Sequence, residues 1–239
     1  MNSVNISINE IELKRILRCK KDCLYNWTPN ANIKAGDLVP VLCGEKESVI
    51  YSMRWGYNRF ENGNLTPFAR SETIVQKWGV NVQTGVIPIK GFHFKYIQQT
   101  KTPENYYVNE KNNEILFIAC ICLEKRTHFK RQLSVVLLSK DTMDNEILFP
   151  YNDRMPVLLK KESIQNWLKL KTIEKEKLMN FVKNDINFEE PKQIGPWIND
   201  SKNTREDIVL RSKEEWKIEC DAATINWDAV SDLMAKNNF

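Results

Sequence analysis

The sequence predicts an α+β fold, with strands grouped in the middle of the chain and helices toward its ends. Three observations carry that prediction. Apolar residues recur at helical spacing near both ends of the chain. Between them, from residue 80 to 138, the apolar runs are short and punctuated by turn residues, as strands are. Two of those runs, 115–123 and 132–138, are apolar on both faces, which suits central strands.

The elements follow in order. Ser7-Ile8-Asn9-Glu10 has capping-box form, and Ile8, Ile11, Leu13, Ile16 and Leu17 follow at roughly helical spacing, predicting a helix over 8–19. Pro29 and Asn30 interrupt the chain. Residues 38–42 and 48–53 read as strands with Gly44 in the turn between them, and Gly63 and Pro67 mark a loop near 58–68. Strands are expected at 80–88, 91–97, 106–108, 115–123 and 132–138. The polar stretch 109–113 is a turn, and 124–131 is a charged connection with His128 facing solvent. From Ser163 the pattern becomes helical: Ile164, Trp167 and Leu168 share one face, and Leu178, Phe181 and Val182 another. Residues 185–207 lose periodicity and carry Pro191, Gly195 and Pro196. A last helix fits 224–236, with Trp227, Val230 and Met234 inward. The expected organisation is one domain over 1–210 with a helical extension, 211–239, packed on it.

The chain has 239 residues, 42% of them hydrophobic, enough for one sizeable core without staples. No apolar run is long enough for a transmembrane helix. Met1-Asn2-Ser3-Val4 opens no basic and apolar leader, so a cytoplasmic monomer is expected. A net charge of +4 permits nucleic-acid binding without demanding it. The six cysteines read as reduced, small apolar residues. Cys19 and Cys23 could share a helix face, but neither histidine, His93 nor His128, lies near them in sequence. No metal and no cofactor is expected.

Several short segments fall in a recognisable order. Tyr25-Asn26-Trp27-Thr28-Pro29 precedes Val39-Pro40-Val41 and Arg54-Trp55-Gly56-Tyr57. Then come Ala69-Arg70-Ser71-Glu72-Thr73, Pro88-Ile89-Lys90-Gly91-Phe92, Asp153-Arg154-Met155-Pro156 and Trp167-Leu168, with Ile198-Asn199, Asn203 and Glu206 further on. This ordered set resembles the SRAP family of abasic-site-processing, single-stranded-DNA-binding proteins over roughly residues 20–210. The resemblance implies a β-rich, barrel-like core of antiparallel or mixed strands flanked by helices. It also implies a basic groove for single-stranded DNA or single-strand/double-strand junctions. By the same resemblance, Asn26 lies near the crosslinking site, Arg70 and Arg154 hold phosphates, and Trp55 lies near the groove floor. Arginine's planar fork suits phosphate oxygens, and an aromatic face can take a stacked base. The residues themselves leave two plainer readings open: Arg70 paired with Glu72, and Trp55 as core.

The family's reacting residues are not matched. Its second residue is a cysteine whose amine and thiol close a thiazolidine ring on an abasic-site aldehyde. Here that position is Asn2, which has no thiol. Asparagine in second place also leaves the initiator Met attached, moving the α-amine to Met1. The family's acid stands at Phe94 and its catalytic histidine at Asn152, which does not titrate near neutral pH. Strand alternation turns His93 away from the face where the acid would stand.

The sequence therefore favours an SRAP-fold protein that binds single-stranded DNA without crosslinking. Two alternatives remain open at this level. One is an enzyme reacting with abasic sites through its N-terminal amine. The other is a protein-interaction module whose groove is closed by Phe68 and Phe94 and whose function has moved to 211–239.

Overall fold

The two long apolar runs are central strands, and the architecture follows from how their neighbours pair. The computed structural model describes residues 1–206, 212 and 215, apart from 20, 45–47, 59–62, 80–82, 98–102, 127–130, 171–180, 183–185 and 201. In chain order, the first elements are β1 (Ser3–Ile6), α1 (Glu10–Leu17), β2 (Lys21–Cys23), β3 (Asn30–Lys34), β4 (Leu38–Cys43) and β5 (Val49–Trp55). β6 (Phe68–Arg70), α2 (Ile74–Trp78), β7 (Gln83–Ile89), β8 (Gly91–Tyr96) and β9 (Glu104–Asn109) follow. The last are β10 (Leu116–Arg126), β11 (Arg131–Asp141), β12 (Arg154–Pro156), α3 (Ile164–Leu168) and β13 (Lys192–Ile194).

β5, β4, β7, β10 and β11 pair in that order, each antiparallel to the next. β11 then pairs back to β5 in parallel, with Ser134 opposite Arg54 and Val135 opposite Trp55, and this closes a five-stranded barrel. Closure removes the open edges that a sheet of these apolar strands would otherwise expose. Further along, β11 takes β6 in parallel on one edge and β12 antiparallel on the other, so Ser139 lies between Arg70 and Pro156. A second sheet, ordered β13-β9-β8-β1-β3, continues from the barrel through the tight β7–β8 connection at Lys90.

Local chemistry accounts for the elements. α1 starts two residues later than the predicted box implies: Asn9, not Ser7, is the N-cap, its side chain accepting from the Glu12 N–H at 2.9 Å. Arg18 ends the helix in the left-handed conformation at φ 50°, and Leu13 and Leu17 are buried. Because the helix stops there, Cys19 and Cys23 do not share a helix face. Cys23 belongs to β2, and the Cys19 thiol points to the Lys21 and Ser48 carbonyls. α3 docks through Trp167, which is fully buried. Its Nε1 donates to the Gly85 carbonyl at 2.9 Å, and the Thr84 hydroxyl donates to the Trp167 carbonyl. Gly91 is required where β8 meets β9, since a Cβ there would stand 2.4 Å from the Val108 carbonyl oxygen.

The expected strands at 38–42, 48–53, 91–97, 115–123 and 132–138 all exist, within a few residues at their ends. Phe181 and Val182 do not continue a helix: Val182 forms a bridge with Leu159. Leu178, His128 and the expected helix at 224–236 lie outside the described residues. Among the described residues, no helix is long and apolar enough to cross a membrane.

Candidate nucleic-acid interface and reaction positions

The fold brings the three reaction positions to one place. β1 lies against β8, with Ser3 opposite His93, and the Asn2 N–H donates to the His93 carbonyl at 2.7 Å. This sets the chain start beside Phe94. Phe94 is 1% exposed and stacks on Tyr106, with ring centroids 5.7 Å apart and planes at 11°. It also meets Tyr151 at 6.2 Å, the residue before Asn152. Asn152 is fixed by its backbone: its N–H donates to Leu148 and its carbonyl accepts from the Thr142 hydroxyl. Burial pushes the Met1 α-amine below its ordinary pKa, partly offset by the nearby Asp153 carboxylate. The cluster thus holds an amine, two amides and apolar rings, but no thiol, imidazole or acid at those three positions.

His93 lies on the other side of β8. It is 1% exposed, its Nδ1 is 3.0 Å from the Ser3 hydroxyl, and its ring tilts against Tyr107 at 4.9 Å. Burial lowers its pKa to about 3, so it is neutral at physiological pH. Its Nε2 has no hydrogen-bond partner.

The two motifs that carry the resemblance are physically joined. Arg154 donates from Nη1 to Glu72 Oε1 at 2.8 Å and from Nη2 to Oε2 at 3.0 Å, a bidentate pair. Nη2 also reaches the Ser139 carbonyl at 2.8 Å. Partial burial opposes ionisation of Glu72, but Arg154 outweighs it and holds the carboxyl below its ordinary pKa. Glu72 therefore pairs with Arg154, not with Arg70 as the plainer reading had it. Arg154 presents no open fork in this arrangement, because both terminal nitrogens are engaged within the protein. Arg70 is exposed on β6 and makes no ion pair with any described residue.

Trp55 and Asn26 behave differently from each other. Trp55 is 0% exposed, donates from Nε1 to the Pro67 carbonyl at 3.0 Å, and packs edge-on against Phe68 at 5.6 Å. A base cannot reach its face, so the stacking expected of Trp55 is corrected: it is a core residue beneath the surface that Arg70 occupies. Asn26 is exposed, in a turn with φ 57°, a left-handed conformation that asparagine tolerates better than most residues. Arg70 and Arg154 flank β11, and Asn26 lies in the connection between β2 and β3.

The profile described as "SOS response associated peptidase (SRAP)" matches residues 4–201, most of the chain. The chain belongs to the SRAP family. Solved structures with this fold include a protein from Bacteroides thetaiotaomicron, with 17% identity over 89% of this chain and all of that one, at a TM-score of 0.73. A protein from Bordetella bronchiseptica has 14% identity over 82% of this chain and all of its own, at a TM-score of 0.68. A phage-related protein from the same organism has 16% identity, covering 81% and 94% of the two chains, at a TM-score of 0.64. At these identities the likeness is one of fold. No curated protein matches the chain.

Within this SRAP fold, two features escaped the sequence reading. The first is a ring cluster: Tyr96, Tyr106 and Tyr151 pack around Phe94, with Tyr106 and Tyr151 5.2 Å apart and Tyr96 and Tyr151 5.6 Å apart. It depends on the β8–β9 register, which sets Phe94 against Tyr106 and cannot be read from the sequence. The second is the role of Glu206, a residue of the ordered motif set: it accepts from Asn5, Ser7 and Lys90 at 2.9–3.1 Å and ties its segment to β1.

Proposed function

We propose that this SRAP protein is a monomer that binds single-stranded DNA, or single-strand/double-strand junctions, reversibly, in the context of abasic-site processing and the DNA damage response. It does so without the family's crosslinking chemistry. One observation carries the reading: Phe94 is sealed into a ring cluster where the family's acid stands, while Arg70 keeps an exposed guanidinium across β11 from Arg154. Arg70 holds phosphate. Arg154 positions Glu72 and the β6 turn, and Trp55 supports that surface from below. Asn26 offers an exposed amide to the strand.

The test is a titration of single-stranded oligomers over about 50–200 mM salt, where each phosphate contact contributes roughly 0.7 to the log–log slope. Arg70→Ala should lower that slope by about one such contact. Absence of binding at the lowest salt removes the proposal.

The buried, depressed-pKa amine of Met1 favours a second reading, since a neutral amine attacks an aldehyde to form a Schiff base. Borohydride trapping with an abasic oligomer, followed by mass measurement of the N-terminal peptide, separates the two. No trapped species removes the second reading and leaves the first intact.

A further inference from the structure

The barrel closure builds a second polar site that shares no residue with the reaction positions. Ser134 stands opposite Arg54 across β5–β11, and Gln132 stands opposite Lys125 across β10–β11. Residues 132 and 134 are two apart on one strand, so alternation puts all four side chains on one face. β5 and β10 flank β11, which sets the stems of Arg54 and Lys125 roughly two strand spacings, about 10 Å, apart. A pocket of 160 Å³ lies there, lined also by Tyr57 and Asn58. Gly56 makes its wall possible: at φ +105° it lets Leu65 fold over the backbone, where a Cβ would stand 2.5 Å from Leu65 Cγ.

Among the described residues, the pocket's lining includes two cations and no carboxylate. Neither Arg54 nor Lys125 makes an ion pair with a described residue. The complementary ligand therefore carries a compact anion.

We propose that this pocket is a phosphate subsite for a nucleotide unit, with Arg54 and Lys125 on the phosphate oxygens. Arginine's fork and lysine's mobile ammonium are complementary ways of meeting phosphate. The occupant is a backbone phosphate of the bound strand, and in that respect the inference rests on the DNA-binding reading above. A free nucleotide has the same chemistry and is distinguished by experiment.

The experiment compares wild-type protein with an Arg54→Gln/Lys125→Gln double variant, after thermal melts show both folded. Each is titrated with a single-stranded oligomer over a salt series, and separately with thymidine monophosphate. The expected result is an oligomer slope shallower by about 1.4 and affinity reduced roughly tenfold in the variant, two phosphate contacts being lost. An Arg54→Lys single variant should retain most of the slope, because it keeps the charge. If the variant loses only monophosphate binding, the phosphate site stands and its occupant is a free nucleotide. An unchanged slope together with unchanged monophosphate binding overturns the inference while the DNA-binding reading stands. If wild type binds no oligomer, that reading falls, and loss or persistence of monophosphate binding in the variant then decides the pocket alone.

Discussion

Replacing Glu72 with Gln breaks the bridge between the two motifs at one end. The structure sets the size of the effect. The pair makes two hydrogen bonds of 2.8 and 3.0 Å, with side chains 26% and 32% exposed. Exposed pairs contribute about 0.2–1 kcal/mol, and hydrogen bonds to charged groups about 1.5–3 kcal/mol. A half-buried bidentate pair falls between, so a double-mutant cycle of Glu72→Gln and Arg154→Met should give a coupling of about 1–2 kcal/mol. In a chain of this size that corresponds to a fall of roughly 2–8 °C in melting temperature for Glu72→Gln. The dependence on pH has a definite sign. The folded Glu72 carboxyl sits below its ordinary 4.5, so its contribution is fully present above that value and is lost as pH falls through the folded pKa. The gap between wild type and Glu72→Gln, measured by urea melts at several pH values, should therefore close in acid. Coupling within about 0.5 kcal/mol of zero, or a gap indifferent to acid, would refute the claim that the two motifs are energetically joined.

Three further outcomes follow from the geometry. Trp55→Ala should destabilise by about 3–5 kcal/mol, since it empties a fully buried site and orphans the Pro67 carbonyl; chemical melts check this. Gly91→Ala should cost at least about 2 kcal/mol or prevent folding, because the new Cβ meets the Val108 carbonyl oxygen at 2.4 Å and backbone yields poorly; circular dichroism melts check this too. The His93 ring signals in NMR should not titrate between pH 8 and 5, since burial holds its pKa near 3. The stability that neutral His93 confers is complete above its ordinary 6.5 and declines as pH falls toward the folded value, so His93→Gln should flatten that decline.

The barrel strands were legible because their signal is the residue pattern itself. The runs 115–123 and 132–138 are apolar on both faces, and the structure buries them as β10 and β11. β1 and β3 were not legible, because they are only four and five residues long and their polar positions Ser3, Asn5 and Asn32 read as solvent-facing. They are buried polar residues whose partners, among them His93, Tyr107 and the Ile198 carbonyl, lie 90 or more residues away. β6, β12 and β13 are three residues long, too short to show a period. For the site, the ordered motifs singled out Arg70 and Arg154, which the structure sets on either side of β11, but local sequence cannot say which arginine Glu72 chooses. That depends on β11 bringing Arg70 and Asp141 into register with their partners. Trp55 shows the same limit: a tryptophan beside a glycine reads equally as groove floor or core until Pro67 and Phe68 close over it.

The most direct test of reversible, crosslink-free binding is one titration read in two ways. Wild-type protein is equilibrated with a single-stranded oligomer carrying one abasic site, and with its intact counterpart. Each mixture is measured by fluorescence anisotropy at low salt and then run on a denaturing gel. The account predicts binding to both oligomers, release as salt rises, and no slow-migrating species on the gel. A stable protein–DNA adduct on the abasic oligomer, or no binding to either oligomer at low salt, would contradict it.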